Sequence, residues 1–395
     1  MTAFEHDLTP VKPDYDGGSI VNLMRSIGDK FGAVASDYPP LAALPPDRLD
    51  QARRVLLIVI DGLGAELLRN VGRGSQLEAR ASNTITSVYP PTTASAITTF
   101  MTGLAPQQHG LTGWFMHFRR LGAVTAVLPF VPRYGRKPLS GGGVDLASLL
   151  CCPSFFNRIK AQSATLQPAA IADSDFSRHL AQGAERIPYT TLAEFANRLQ
   201  AYCRGESSAA YMYAYWSDLD RLAHIHGPSS DAVKVHYDEI DAALSAIIEV
   251  CEHSGTLLII TADHGFIDSG AEERIDLENH PGLADTLSLP LCGEPRTAYC
   301  YVRHRSAQAF EKYIDRELAQ VATWLPSHRL IDDGWFGVGK AHAELAARIG
   351  DYTLLMRGRY TIRDRVAGEP DIHLNGVHGG TSAAEQYVPL ILAGP

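Results

Sequence analysis

The sequence predicts an α/β layered fold built on a mostly parallel sheet, and three observations carry that prediction. First, the apolar runs at 55–60 (VLLIVI), 209–216 (AAYMYAYW) and 256–262 (TLLIITA) do not alternate with polar residues. Strands buried on both faces, as parallel sheets require, read this way. Second, helical periodicity falls between them. Val233, Tyr237, Ile240, Leu244, Ile247 and Cys251 recur at spacings of three and four, and 191–203 opens with Thr191 and Glu194 in capping-box spacing. Third, each run ends at or near an aspartate: Asp61, the pair Asp218 and Asp220, and Asp263. Ligands of open α/β sheets bind at the carboxyl ends of strands.

Taken in order, residues 1–49 are rich in Pro, Asp and Gly, with one helical patch at 20–31. They read as an N-terminal arm laid over the core, and 50–395 as the main domain. The first strand, 55–60, leads into Asp61-Gly-Leu-Gly64. Next comes 87–114, SVYPPTTASAITTFMTGLAPQQHGLTGW. Pro90 and Pro91 end an extended segment, and 94–102 reads as a short apolar helix closed by Gly103. Thr92 and Thr93 therefore stand at a helix N-terminus, where unpaired N–H groups and the dipole favour an anion such as phosphate. A hydroxyl there is either an ordinary N-cap or, if something lowers its pKa, a nucleophile. Further strands are expected at 297–302, 352–356 and 388–392. Two stretches, roughly 115–189 and 266–373, break the rhythm and read as cap insertions. The first holds Arg133, Arg136 and Lys137, a basic loop solvated by default and within possible reach of the site. It also holds the glycines 141–143, a flexible loop, because no Gly-Lys-Ser/Thr follows them.

The 395 residues are 45% hydrophobic and 20% charged, an ordinary globular balance. The net charge of −9 argues against a nucleic-acid polymer or an anionic membrane as partner. It leaves small phosphate esters open where bound cations reverse the local field. The first residues lack a basic stretch followed by an apolar one, and no apolar run approaches a membrane span, so a cytoplasmic location is expected. The six cysteines include no CxxC and read as mostly reduced core residues. Oligomeric state is left open.

Four pieces carry chemistry: Asp61, Asp220 with His224, Asp263 with His264, and His378 within Asn375-Gly-Val-His-Gly-Gly380. Singly, each has an ordinary explanation as a turn former, a solvated pair or a loop histidine. Together they supply three carboxylates and three imidazoles, a set suited to zinc-like divalent ions. Six ligands and a hydroxyl exceed one tetrahedral ion. They suit two ions, each with about three protein ligands and an open position. His109, His226, His236 and His280 read as supporting or surface groups.

These motifs resemble the alkaline phosphatase superfamily, most closely its nucleotide pyrophosphatase/phosphodiesterase branch. VLLIVIDGLG at 55–64, YPPTTASAITTFMTGLAPQQHG at 89–110, DRLAHIHGP at 220–228, ADHG at 262–265 and VHGG at 377–380 follow the family order over most of the chain. The resemblance implies a three-layer α/β/α fold with cap insertions and two divalent ions, Zn2+ first among them. It implies that Asp220, His224 and His378 hold one ion. Asp61, Asp263 and His264 hold the other, which Thr93 also touches. It implies Thr93 as the nucleophile of a hydrolase of phosphodiesters or nucleotide pyrophosphates, working through a phosphothreonine, with a nucleotide as one candidate substrate. A phosphonoacetate-type C–P hydrolase and a phosphomonoesterase are alternatives on the same scaffold. A catalytically inert metal-binding protein is the non-enzyme alternative. Asp218 competes with Asp220, but only Asp220 has the family spacing to His224 and Gly227-Pro228. The branch usually sets an Asn against a phosphoryl oxygen just after the HG motif. Here that position is Trp114, which either stacks on an aromatic substrate group or packs as core.

Overall fold

The computed structural model describes residues 10–33, 36–81, 83–135 and 137–395. Its central sheet has seven strands, in the order Asn83–Thr86, Tyr387–Ala393, Thr256–Thr261, Arg54–Ile60, Tyr211–Trp216, Ser163–Pro168, Ala184–Tyr189. Only Tyr387–Ala393 runs against the others. The three unalternating runs occupy the middle of the sheet. Every residue from Val55 to Ile60, Tyr211 to Trp216 and Thr256 to Thr261 is buried, so both faces of the sheet are covered. Helices do the covering, which completes a three-layer α/β/α architecture.

The helices begin and end where their sequences direct. Ser230 caps Asp231–Glu252 by accepting from the Val233 N–H, and Thr191 caps Leu192–Cys203 by accepting from that of Glu194. Thr93–Thr102 stops at Gly103, whose φ of 66° is a left-handed conformation that costs glycine little. Helix Ile20–Lys30 lies against Thr93–Thr102. It buries Ile20, Leu23, Met24 and Ile27 in the same core as the central strands. Each such side chain contributes about 1.5–3 kcal/mol.

A second seven-stranded sheet, antiparallel throughout, adjoins the first. Its order is Ala322–Pro326, Tyr352–Met356, Thr297–Cys300, Cys292–Glu294, Phe115–Phe118, Ala123–Ala126, Val131–Pro132. The expected strands at 297–302 and 352–356 exist, but they belong here and not to the parallel rhythm. The stretch 115–189 is also split. Its first part enters the second sheet, whereas Ser163–Pro168 and Ala184–Tyr189 extend the central one. Ala184–Tyr189 is the edge strand, where a ladder donor can be spared for Pro188 and charges can face water, whereas Ser163–Pro168 is paired on both sides and buries Ser163, Thr165 and Gln167. The glycines 141–143 lie in an exposed turn.

All six cysteines are free, with only Cys151 exposed. No helix among the described residues is long and apolar enough to cross a membrane.

Candidate metal centre and nucleophile

Strand register brings the site together. Ile60 pairs with Trp216 and Val59 with Thr261, so three strands end level. Asp61 follows the first strand directly. Asp263 comes two residues after the third. Asp220 lies in the first turn of helix Asp218–His226, one helical turn before His224. His378 follows the short strand Gly376–Val377, which pairs with Ile267–Asp268. The six residues therefore arrive from four places spread over more than 300 positions and meet beyond the carboxyl ends of the central strands. Asp218, the competitor, is turned away and bonded to Arg221.

The hydrogen bonds around these groups leave one atom of each free to face the others. Tyr215 donates to Asp61 Oδ2, which leaves Oδ1 without a partner. The N–H groups of Gly62 and His264 donate to Asp263 Oδ1, each at 3.0 Å, and Oδ2 is left over. Asp220 Oδ1 is likewise buried without a hydrogen-bond donor. The imidazoles are fixed by carbonyls. Nδ1 of His224 lies 2.8 Å from Gly376 O, that of His264 3.1 Å from Gly265 O, and that of His378 3.3 Å from Pro91 O. A carbonyl only accepts, so each Nδ1 carries the proton and each Nε2 offers a lone pair. His264 Nε2 lies 3.3 Å from Asp61 Oδ1 and 3.6 Å from Asp263 Oδ2. Asp220 Oδ1 is a hub, 3.4 Å from His224 Nε2 and 3.9 Å from Nε2 of both His264 and His378.

Lone pairs facing lone pairs at these distances repel one another unless protons or a cation lie between them. Burial accordingly raises the carboxyls: Asp220 to about 7, Asp263 to about 8, and Asp61 well above the carboxylate range. Burial holds His224 and His378 below the usual imidazole value, which keeps them neutral as ligands must be. The donor set fits divalent ions. Two clusters have ligand atoms within 4.8 Å of one another, Asp61–Asp263–His264 and Asp220–His264–His378. His264 is common to both, its ring stacked 3.7 Å from that of His378, and Phe266 packs edge-on against the three imidazoles.

Thr93 stands beside this centre, its Oγ1 3.2 Å from His264 Nε2. It is half-exposed at the head of a helix whose other residues are all buried. Thr92 occupies the N-cap position but its side chain caps nothing. Its hydroxyl donates to Glu294 Oε1 at 2.7 Å, which leaves the first-turn N–H groups open to an anion. Trp114 is 37% exposed, so it is not core. Its backbone N–H also donates to Glu294 Oε1, at 2.7 Å. Sequence reasoning missed Glu294, and nothing in Cys292-Gly-Glu-Pro-Arg296 distinguishes it from a hairpin turn. Tyr215 was missed too, since it reads as one more aromatic in a buried strand.

Other candidates go elsewhere. Arg133 is neither solvated nor at the site. It is buried against Phe115 and bonded to Asp364, Glu369 and the Leu291 carbonyl. Lys137 is exposed, and Arg136 lies outside the described residues. His109 is buried against Thr99, His236 accepts from the Trp216 indole, His280 meets Tyr313, and His226 is exposed.

Glycine allows the close approach behind His264. A Cβ on Gly265 would lie 2.0 Å from the Ala384 carbonyl oxygen and 3.0 Å from Gly64 Cα. Gly265→Ala is expected to cost about 1–3 kcal/mol, read as a lowered thermal midpoint. A midpoint unchanged from wild type would contradict this packing account.

A family model described as type I phosphodiesterase / nucleotide pyrophosphatase matches residues 55–381. No protein of curated function matches the chain in sequence. Solved structures with the same fold include human ectonucleotide pyrophosphatase/phosphodiesterase 5 (17% identity, TM-score 0.64, 87% of this chain and 88% of that one). The murine protein of the same name gives 16% identity and a TM-score of 0.63 over the same shares. Phosphonoacetate hydrolase from Sinorhizobium meliloti 1021 in complex with phosphonoacetate gives 16%, 0.61, and 87% and 91%. By its family match, the chain belongs to the type I phosphodiesterase / nucleotide pyrophosphatase family and is a phosphoester hydrolase of the alkaline phosphatase superfamily.

Proposed function

We propose that this chain is a two-zinc hydrolase of phosphodiester or nucleotide pyrophosphate bonds, with Thr93 as nucleophile. The observation that carries the reading is the convergence of unpartnered carboxylate oxygens and imidazole Nε2 atoms beside the Thr93 hydroxyl. Asp61, Asp263 and His264, with Thr93, would hold one ion, and Asp220, His224 and His378 the other. Divalent ions at such a centre supply Lewis acidity, lowering the pKa of a hydroxyl or water and neutralising charge on the phosphoryl group.

The protein's own contribution is placement. The helix keeps Thr93 Oγ1 at the edge of the cluster, where the deprotonated oxygen attacks phosphorus in line; the P–O bond opposite it breaks, the alcohol or nucleotide leaves, and a phosphothreonine remains. The open N–H groups of the first helical turn receive a phosphoryl oxygen. Water then hydrolyses the phosphothreonine. Trp114 offers an exposed ring for an aromatic group on the substrate, such as a nucleobase. One solved structure of an inactive form of the murine protein contains AMP, and others of the Sinorhizobium enzyme contain phosphonates. The same classes are therefore the ones to try here.

A panel on zinc-loaded protein tests the reading: an aryl diester, an aryl monoester, a dinucleotide and phosphonoacetate, each against Thr93→Ala. The diester and the dinucleotide are expected to turn over fastest. Turnover of phosphonoacetate alone would replace the reading with C–P hydrolysis. Turnover of none above the Thr93→Ala background would remove it.

A further inference from the structure

Glu294 ends the strand Cys292–Glu294 in the second sheet and is only 7% exposed. Its carboxylate is pinned from two sides, by the Thr92 hydroxyl and the Trp114 N–H, both at 2.7 Å and both on Oε1. Oε2 carries no protein hydrogen bond among the described residues. The side chain lies against the backbone next to His378, since a Cβ on Gly379 would fall 2.8 Å from Glu294 Cβ and Cγ. Its charge is also felt at Asp220. Glu294 therefore stands between the residue preceding Thr93 and the residue following His378, on the wall that faces the metal cluster.

Two consequences follow for the group attacked by Thr93. The hydroxyl and the N–H that would otherwise be free to donate to a phosphoryl oxygen are engaged by Glu294, and a negative charge replaces them. The cap cation that could offset it, Arg133, is spent on Asp364 and Glu369.

We propose that Glu294 is a specificity-determining residue: its carboxylate, held beside Thr93 by Thr92 and Trp114, disfavours a doubly charged phosphoryl group and so selects diesters over monoesters. This rests on the phosphodiester reading above. A diester carries one negative charge on the transferred group, and a monoester near pH 8.5 carries two. The second charge of a monoester adds a repulsion from this carboxylate that a diester does not meet. Burial raises the Glu294 carboxyl to about 7, so it is ionised at pH 8.5.

The test compares wild type with Glu294→Gln at pH 8.5, both zinc-loaded. Gln keeps an acceptor oxygen for Thr92 and Trp114, removes the charge and adds a donor. The measurements are kcat/KM for bis(p-nitrophenyl) phosphate and p-nitrophenyl phosphate, and the affinity for inorganic phosphate by calorimetry. The diester-to-monoester ratio is expected to fall about tenfold or more, and phosphate to bind about tenfold tighter. A ratio and an affinity that both stay at wild-type values would overturn the proposal. So would an equal loss on both substrates with phosphate affinity unchanged, the signature of a merely bracing carboxylate. Glu294→Ala provides a second variant should the glutamine form melt early, with the same expected shifts. If wild type turns over neither ester above Thr93→Ala, the hydrolase reading fails, and phosphate affinity alone decides the role of Glu294.

Discussion

Thr93→Ala is expected to lower kcat/KM by about 10³-fold or more on any substrate the zinc-loaded protein turns over, with folding unchanged. The separation is physical. The Thr93 hydroxyl has one side-chain partner, His264 Nε2, and the residue is half-buried at the start of the helix, so truncation removes little packing. What disappears is the oxygen proposed as nucleophile; the neighbouring Thr92 hydroxyl is engaged by Glu294. Thr92→Val is the matched control. It removes a hydroxyl one residue away that is engaged by Glu294 and not by His264. It is expected to cost no more than about tenfold. Thr93→Ser is expected to retain most of the activity, since it keeps the oxygen. Comparable losses in Thr92→Val and Thr93→Ala would mean that the helix head binds an anion without supplying the nucleophile.

The second large effect is on stability. Stripping divalent ions is expected to make the protein less stable as pH rises from about 6.5 to 8, and restoring zinc to remove that dependence. Asp220 and Asp263 titrate near 7 and 8 in the folded chain and Asp61 higher still, against 3.8 for an unperturbed carboxyl, because burial penalises the charged form. Between these limits the folded state binds more protons than the unfolded state. Stability therefore falls with increasing pH, by up to about 1.4 kcal/mol per pH unit for each proton. His224 and His378 act in the opposite sense below about 6.5, the value of a free imidazole, because their folded pKa values are depressed. The window is accordingly set above that point. Metal ligands are already ionised, so a loaded site has no protons to lose. Zinc at about a thousand times its dissociation constant adds roughly 4 kcal/mol. Thermal midpoints measured across this window in chelator and in zinc decide the matter. Parallel slopes in the two would show that the carboxylates are not metal ligands.

Much of this site is legible in the sequence because its parts are local. Asp61, Asp220, Asp263 and Thr93 sit at the ends of unalternating strands or at the head of a capped helix, and both features are written in a few consecutive residues. His224 follows Asp220 by one helical turn and His264 follows Asp263 directly. The family order of the motifs supplied the rest of the expected set. Other parts were not legible. The second sheet draws Phe115–Phe118 to Cys292–Glu294 across nearly 180 residues of chain, with a single pair, Phe115 and Gly293, joining the two halves. No local pattern signals such a contact. Ala184–Tyr189 was hidden for a different reason, since an edge strand is released from the apolar rule that reveals central ones, and Ser163–Pro168 was hidden because it buries Ser163, Thr165 and Gln167 among its apolar residues.

By itself the sequence determined the α/β class, the central strands and the helix that carries Thr93, each of which depends on periodicity or on residues within one turn or one strand end. It also offered the carboxylates and imidazoles proposed as metal ligands, with the family order of the motifs. Only the tertiary structure decided how those side chains face one another: which oxygen of each carboxylate is left without a donor, which imidazole nitrogen is free, and that His264 lies within reach of both clusters. It also decided that Arg133 is withdrawn from the site and that Glu294 enters it. These are consequences of strand register and of the contact between two sheets, which bring together groups from opposite ends of the chain, and a buried charge is governed by those neighbours in space rather than by its neighbours in sequence.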